Sequence, residues 1–120
     1  MPNPVVHFEV TGKDAKALAS YYGSLFGWEI DANNPMNYGV VHTNAGAGID
    51  GGIGQGEAND SLVTFYVAVD DPQKYLDRAI ELGGTLQTPV TVIPGMVTMA
   101  QFKDPEGHVI GIVANEMPPA

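Results

Sequence analysis

The stretch Val5–Val10 (VVHFEV) returns 57 residues later as Leu62–Val67 (LVTFYV), and this repeat decides the fold. The equivalence continues beyond the two stretches, and the matching pairs are Phe8 and Phe65, Val10 and Val67, Asp14 and Asp71, Leu25 and Leu82, and Gly27 and Gly84. A repeat of this length is a supersecondary unit used twice. The sequence therefore predicts two similar units with a cleft between them, into which equivalent positions of both halves project.

Signals for secondary structure follow the same order in each half. The first strand alternates apolar and polar residues, and Asp14 then provides a helix N-cap before apolar residues at helical spacing that end at Gly27. In the second half, Asp71 followed by Pro72 is a strong helix start. Three strands are expected after each helix. The turn Asp104–Gly107 (DPEG) joins the last two as a hairpin.

These signals predict an α+β fold of two tandem βαβββ modules within a single domain, residues 1–120. Module 1 spans residues 1–56, module 2 spans residues 62–116, and the polar segment 55–61 is the linker. Four aromatic residues surround the end of the first helix, and we expect most of them in the core; they are Tyr21, Tyr22, Phe26 and Trp28.

Composition limits the function. The formal net charge of −9 and the isoelectric point near 4.4 disfavour nucleic acid and anionic membrane surfaces as partners. The chain has no cysteine, so it can form neither a disulfide nor a thiolate metal site. The N-terminus lacks the features of a signal peptide, and no stretch has the length and apolarity of a membrane span. We therefore expect a cytoplasmic protein.

His7 is the strongest chemical candidate. It shares one face of the first strand with Glu9, and such a pair can hold a metal or act as a base with its orienting partner. The alternative is structural, since a lone histidine on a half-buried strand is more often hydrogen-bonded within the protein. His42 and His108 lack ligand spacing to another histidine, and His108 is expected in solvent after the hairpin turn.

The glycine-rich stretch Gly46–Gly56 superficially resembles a phosphate-binding loop. It is not followed by a lysine at a helix N-terminus, which such a loop requires. Glycine within a strand pattern indicates instead a bulge or a close approach of backbone or ligand.

The whole chain resembles the vicinal oxygen chelate superfamily, which includes glyoxalase I, bleomycin-resistance proteins and extradiol dioxygenases. Three features carry the resemblance besides the tandem modules: the N-terminal strand with His7, the run Tyr21–Trp28 (YYGSLFGW) and the ending Asp104–Gly111 (DPEGHVIG). The superfamily's fold hosts several enzyme classes and also binding proteins, so the resemblance implies the fold more strongly than an activity.

Metal-dependent members of that superfamily bring four ligands into the cleft. By resemblance these positions fall on His7, Thr64, Gly52 and Gly111, with Asp50 as the carboxylate nearest to Gly52. Only His7 keeps a good ligand. Two glycines in place of carboxylates predict a roomier and more apolar cleft.

The sequence thus predicts a homodimeric binding protein that takes a small, mostly apolar organic molecule and lacks the family's intact metal centre. The expected ligand-binding residues are His7, Glu9, Asp50, Thr64, Tyr66, Gly52 and Gly111, and no catalytic residue is assigned. We expect no cofactor. The alternative is a lyase or oxygenase in which His7, with Glu9 or Asp50, holds a divalent metal or moves a proton. A third hypothesis is an accessory domain that only associates with a partner.

Overall fold

A computed structural model of the chain describes residues 2–34, 36–56 and 61–114. Its elements are β1 (Val5–Gly12), α1 (Ala15–Phe26), β2 (Glu29–Asp31), β3 (Gly39–His42), β4 (Gly51–Gln55), β5 (Leu62–Val69), α2 (Pro72–Glu81), β6 (Thr85–Ile93), β7 (Val97–Lys103) and β8 (Val109–Ala114). The order βαβββ occurs twice, which confirms the predicted α+β fold.

The elements form two compact units. The N-terminal unit is Val6–Thr64, and the C-terminal unit is Phe65–Ala120 together with Met1–Val5. The predicted module boundaries stay a prediction, and residues 57–60 of the predicted linker and 115–116 of module 2 lie outside the described residues.

The N-terminal unit contains a sheet with the strand order β2-β3-β4-β1. β1 and β4 run parallel, with Glu9 opposite Gly52, and the remaining pairs are antiparallel. Val41 and Ile53 are its fully buried side chains. Because side chains alternate along a strand, Phe8 and Val10 lie on the opposite face of β1 from His7 and Glu9.

The C-terminal unit repeats this arrangement with the strand order β5-β8-β7-β6. β5 and β8 are parallel, and Tyr66 is the partner of Gly111. α2 packs on this sheet through Leu76, which joins Val69, Ala100 and Ile112 in the core cluster. β6 runs through Pro89, and its pairing with β7 shifts register on both sides of Thr88.

Both helices begin at the residues that the sequence predicted. The side chain of Asp14 accepts a hydrogen bond from the Ala17 amide, and that of Asp71 accepts from the Gln73 and Lys74 amides. Gly27 closes α1 in the left-handed conformation at φ 72°, which glycine adopts without strain. No helix among the described residues is long and apolar enough to cross a membrane.

The aromatic cluster beside α1 is not core, contrary to expectation. Tyr21 and Phe26 are exposed, whereas Tyr22 and Trp28 are half-buried. The Trp28 ring lies 5.0 Å from the Phe26 ring and 6.0 Å from the Tyr22 ring, measured between centroids. The rings therefore pack against one another along the helix, and each keeps part of its surface in solvent.

Candidate functional site

The candidate site of the N-terminal unit is built on the β1 face that carries His7 and Glu9. Both side chains are half-buried, and they are joined by a residue from outside the strand. The Tyr38 hydroxyl lies 2.9 Å from Nε2 of His7 and donates a hydrogen bond of 2.8 Å to Oε2 of Glu9. The three polar groups thus form one chain, imidazole–phenol–carboxylate.

A glycine slot in β4 receives the Tyr38 ring. A Cβ atom built on Gly52 would lie 1.8 Å from the Tyr38 hydroxyl oxygen, and one built on Gly54 would lie 3.1 Å from the ring. Gly52 and Gly54 share one strand face because they are two residues apart. Their missing side chains therefore leave the space that the phenol fills.

The loop before β3 fixes Tyr38 from the other side. The Tyr38 amide donates to Oδ1 of Asn34 at 3.0 Å, and its carbonyl accepts from Nδ2 of the same residue at 2.6 Å. Both hydrogen-bonding groups of the Tyr38 backbone are held by one side chain. Asn34 is therefore the positioning residue for the phenol.

The hydrogen-bond chain dictates where the protons lie. A phenol has one proton, and an ionised carboxylate can only accept, so the Tyr38 proton points to Glu9. Nε2 of His7 must then carry a proton and donate to the phenol oxygen. Burial lowers the pKa of His7 below 6.5, an effect that the negative charge of Asp50 partly offsets. Near neutral pH, His7 is accordingly the neutral Nε2–H tautomer.

Asp50 makes its hydrogen bonds elsewhere. Its Oδ1 accepts from the amide and the hydroxyl of Thr43, at 3.0 and 3.2 Å. Its Oδ2 lies 3.9 Å from Nδ1 of the partly exposed His42. The Asp50 side chain thus organises the turn between β3 and β4, and its negative charge acts on His7.

The C-terminal unit contains a related arrangement centred on Tyr66. A Cβ atom on Gly111 would lie 2.3 Å from the Tyr66 ring, which is 6% exposed. The Tyr66 hydroxyl accepts from Nε2 of Gln101 at 2.8 Å, and Oε1 of Gln101 accepts from Thr88 at 3.0 Å. Thr64, also predicted as a site residue, is the last residue of the N-terminal unit and is 5% exposed. Each unit thus places a tyrosine ring against a strand glycine.

The expectation of open space at Gly52 and Gly111 is therefore wrong, because a phenol ring occupies each position. Of the predicted site residues, the structure brings together His7, Glu9 and Gly52 in one unit and Tyr66 and Gly111 in the other. Sequence reasoning missed Tyr38. Its signal was the alternate glycines of β4, which leave room on one strand face for the close approach of a neighbouring side chain.

The residues of this site fit a divalent metal poorly. Nε2 of His7 and Oε2 of Glu9 both hydrogen-bond the Tyr38 hydroxyl, so an ion between them would have to displace the phenol. Within residues 2–34, 36–56 and 61–114, no three histidine, aspartate or glutamate side chains converge as a metal-binding group. Structural zinc needs about four ligands, and catalytic zinc about three.

His108 lies in solvent, as predicted. The Asp104 carboxylate accepts from the His108 and Glu106 amides at 3.0 and 2.9 Å and lies 3.0 Å from Nδ1 of His108. These contacts lower the pKa of Asp104, first through the His108 amide. The group stabilises the β7–β8 turn, and Gly107 completes the turn at φ 92°.

Residues 7–113 match the family described as "Glyoxalase-like domain". The chain therefore belongs to the glyoxalase-like family of the vicinal oxygen chelate superfamily, which confirms the resemblance. "Putative glyoxylase CFP32" of Mycobacterium tuberculosis is 28% identical over 106 residues, which are 82% of this chain and 41% of that protein. The chain thus spans about two fifths of the length of the curated relatives that it matches.

Solved structures share the fold at low identity. A glyoxalase/bleomycin resistance protein/dioxygenase superfamily member from Vibrio splendidus is 17% identical with a TM-score of 0.62, over 95% of this chain and 100% of that one. The Mn(II)-bound glyoxalase from Novosphingobium aromaticivorans is 14% identical with a TM-score of 0.60, over 95% of this chain and 40% of that one. A protein with the same fold, that glyoxalase, thus binds Mn(II).

Proposed function

We propose that this glyoxalase-like protein binds a small organic molecule on the β1 face that carries His7, Glu9 and Tyr38, without a resident metal. The observation behind the proposal is the Tyr38 hydroxyl, which joins His7 to Glu9 directly over Gly52. In place of a metal's charge, the site offers a fixed phenol and imidazole for hydrogen bonding.

Charge selects among ligands. Glu9 and Asp50 are the acidic groups near His7, and His7 itself is kept neutral by burial. The chain as a whole carries −9. A neutral or cationic molecule is therefore favoured over an anion. The half-buried Tyr38 ring offers an apolar surface for the body of such a molecule.

A series of three aryl probes of similar size tests this selectivity: benzyl alcohol, benzylamine and benzoate. Ligand-detected NMR should show that the first two bind and that Tyr38→Phe weakens both. Tyr75→Phe is the matched control, because its hydroxyl accepts from Asn3 in the C-terminal unit, and this variant should bind like the wild type. Preferred binding of benzoate, or equal binding by Tyr38→Phe, would contradict the proposal.

A metal titration tests the second part of the proposal, that the site has no resident metal. Mn²⁺, Ni²⁺ and Zn²⁺ added to chelator-treated protein should cause no rise in melting temperature that depends on His7. An ion at one hundred times its dissociation constant would add about 2.7 kcal/mol to the free energy of unfolding. A rise of that size which His7→Ala abolishes would support a rebuilt metal site instead.

A second candidate function is metal-independent proton transfer by a lyase-like enzyme. It is supported by the same hydrogen-bond chain, since a neutral His7 can accept a proton while Tyr38 and Glu9 hold its ring. It predicts that His7→Gln abolishes turnover of a substrate that binds with unchanged affinity. Binding without turnover of any probe favours the first function.

A further inference from the structure

The N-terminal unit contains a groove on the side of β1 opposite to His7 and Glu9. The groove has a volume of about 540 Å³ and is lined by the end of β1, by α1 and by the first residues of β5. Val10 is one of its lining residues, and side chains alternate between the two faces of a strand. A ligand in this groove is therefore distinct from the ligand proposed for the β1 face that carries His7.

Most of the groove wall is apolar. Its larger apolar side chains come from all three elements and are Val10, Leu18, Tyr21, Leu62 and Val63. Tyr21 and Val63 are 61% and 76% exposed, so both offer free surface to a ligand. A Cβ atom on Gly12 would lie 2.8 Å from Cδ1 of Leu18, so the missing side chain lets Leu18 pack directly on β1. The wall suits the apolar body of a small molecule.

The corner between β1 and α1 adds charge to the groove. Lys13 and Asp14 are both exposed, and both belong to its lining. Among residues 2–34, 36–56 and 61–114, no ion pair involves Lys13. The N-terminal unit has one further lysine, Lys16, and no arginine. The groove thus places one positive and one negative group beside an apolar wall.

The Gln55 side chain holds this corner in place. Its Oε1 accepts a hydrogen bond from the Ala15 amide at 3.1 Å, and its Nε2 donates to the Lys13 carbonyl. Asp14 is fixed separately, because its Oδ1 accepts from the Ala17 amide at 3.0 Å. The backbone that carries the two charged side chains is therefore ordered in advance, which lowers the entropic cost of binding a ligand there.

We propose that this groove binds an apolar α-amino acid. Such a molecule carries a carboxylate and an ammonium group on the same carbon atom, and these groups match Lys13 and Asp14 in sign. Its apolar side chain then lies along the groove wall, where the exposed ring of Tyr21 packs against an aromatic or aliphatic group.

Charge complementarity favours this class of ligand over simpler ones. A monoanion would meet the Asp14 carboxylate and a chain whose net charge is −9. A monocation would meet the Lys13 ammonium group, and an uncharged apolar molecule would pair with neither residue. A zwitterion has no net charge and pairs with both, so it complements the groove best.

Phenylalanine is the probe, and titration calorimetry measures its dissociation constant. N-acetylphenylalanine keeps only the negative charge and phenylalaninamide only the positive one, so both should bind more weakly. Lys13→Gln should raise the dissociation constant for phenylalanine by about two- to fivefold, which is the range of an exposed ion pair. Asp14→Asn should do the same while keeping a good helix N-cap. Lys16→Gln, the matched control outside the groove lining, should change it much less.

Amide chemical shifts locate the bound phenylalanine. The amides of Ala17 and Val63 should shift, whereas the amide of His7 should not. Ala17→Gln narrows the groove and should weaken binding, and Ser20→Gln, which changes an exposed residue of α1 outside this groove, should not. Absence of saturable binding, equal affinity for phenylalanine and its two analogues, equal binding by Ala17→Gln and the wild type, or shifts confined to the face of His7 would overturn the proposal.

Discussion

The hydroxyl oxygen of Tyr38 lies where a side chain on residue 52 would begin, since a Cβ atom on Gly52 would be 1.8 Å away from it. Position 52 is where the resemblance led us to expect a vacated ligand position. A phenol supplied by the start of β3 has taken that space and connects His7 with Glu9. The absence of a side chain at position 52 therefore allows the Tyr38 phenol to reach His7 and Glu9.

Gly52→Ala should displace the Tyr38 ring and lower the free energy of unfolding by about 1–3 kcal/mol. Denaturant unfolding measures the change. The same substitution at Gly23 is the control, because its Cβ would meet the nearest atom, the Trp28 carbonyl oxygen, at 3.4 Å and would favour the helix. In a Tyr38→Ala background, Gly52→Ala should cost much less, and an unchanged cost would contradict the coupling.

Tyr38→Phe should change the tautomer of His7. Without the phenol oxygen, Nε2 loses the acceptor that holds its proton, and the Nδ1–H tautomer should gain population. Nitrogen-15 chemical shifts of the imidazole report this directly. Tyr75→Phe should leave the shifts unaltered. Identical spectra for wild type and Tyr38→Phe would mean that another contact fixes the ring.

Stability should depend on pH through His7. Burial lowers its folded pKa below the unfolded value of 6.5, so the unfolded chain binds more protons as the pH falls. The contribution of neutral His7 is complete above about pH 6.5 and is lost as the pH falls through the folded pKa. His7→Gln should therefore come closer to the wild type in stability as the pH falls below about 6.5. A difference in unfolding free energy between the two proteins that stays constant with pH would contradict this expected dependence.

Asp104 should make stability depend on pH in a more acidic range than His7 does. Its pKa lies below 3.8 in the folded chain, so its contribution is present above that value and is lost as the pH falls through the folded pKa. Asp104→Ala should speed hydrogen exchange at the Glu106 and His108 amides, whose acceptor it removes. Exchange at the Leu76 amide in α2 serves as the internal control and should not change.

Local signals in the sequence predicted the elements well. The N-caps Asp14 and Asp71 and the closing Gly27 function as expected, because each is satisfied by hydrogen bonds to residues within four positions. Alternation along β1 correctly put His7 and Glu9 on one face. Such features depend on the chain's immediate neighbours, and the sequence displays those neighbours directly.

The site required information that local patterns do not contain. Tyr38 and Glu9 are 29 residues apart, and their contact depends on the pairing of β1, β3 and β4. From the resemblance we interpreted the glycines at 52 and 111 as vacated ligand positions, and the inference of open space followed from their small volume. Close packing fills such space from neighbouring strands, which only the tertiary structure identifies.

The apolar residues of α1 show the same difference between what local patterns predict and what tertiary packing decides. Helical spacing identified Tyr21 and Leu25 as one side of a helix, and the sequence by itself determined that much. Which side meets the sheet depends on the strands beneath it, and the structure leaves both residues largely exposed. The sequence thus determined the elements, their order and the β1 pair, because these follow from short-range periodicity. The tertiary structure alone decided that tyrosines occupy the glycine positions and that Tyr21 and Leu25 face solvent, since both depend on packing between distant segments.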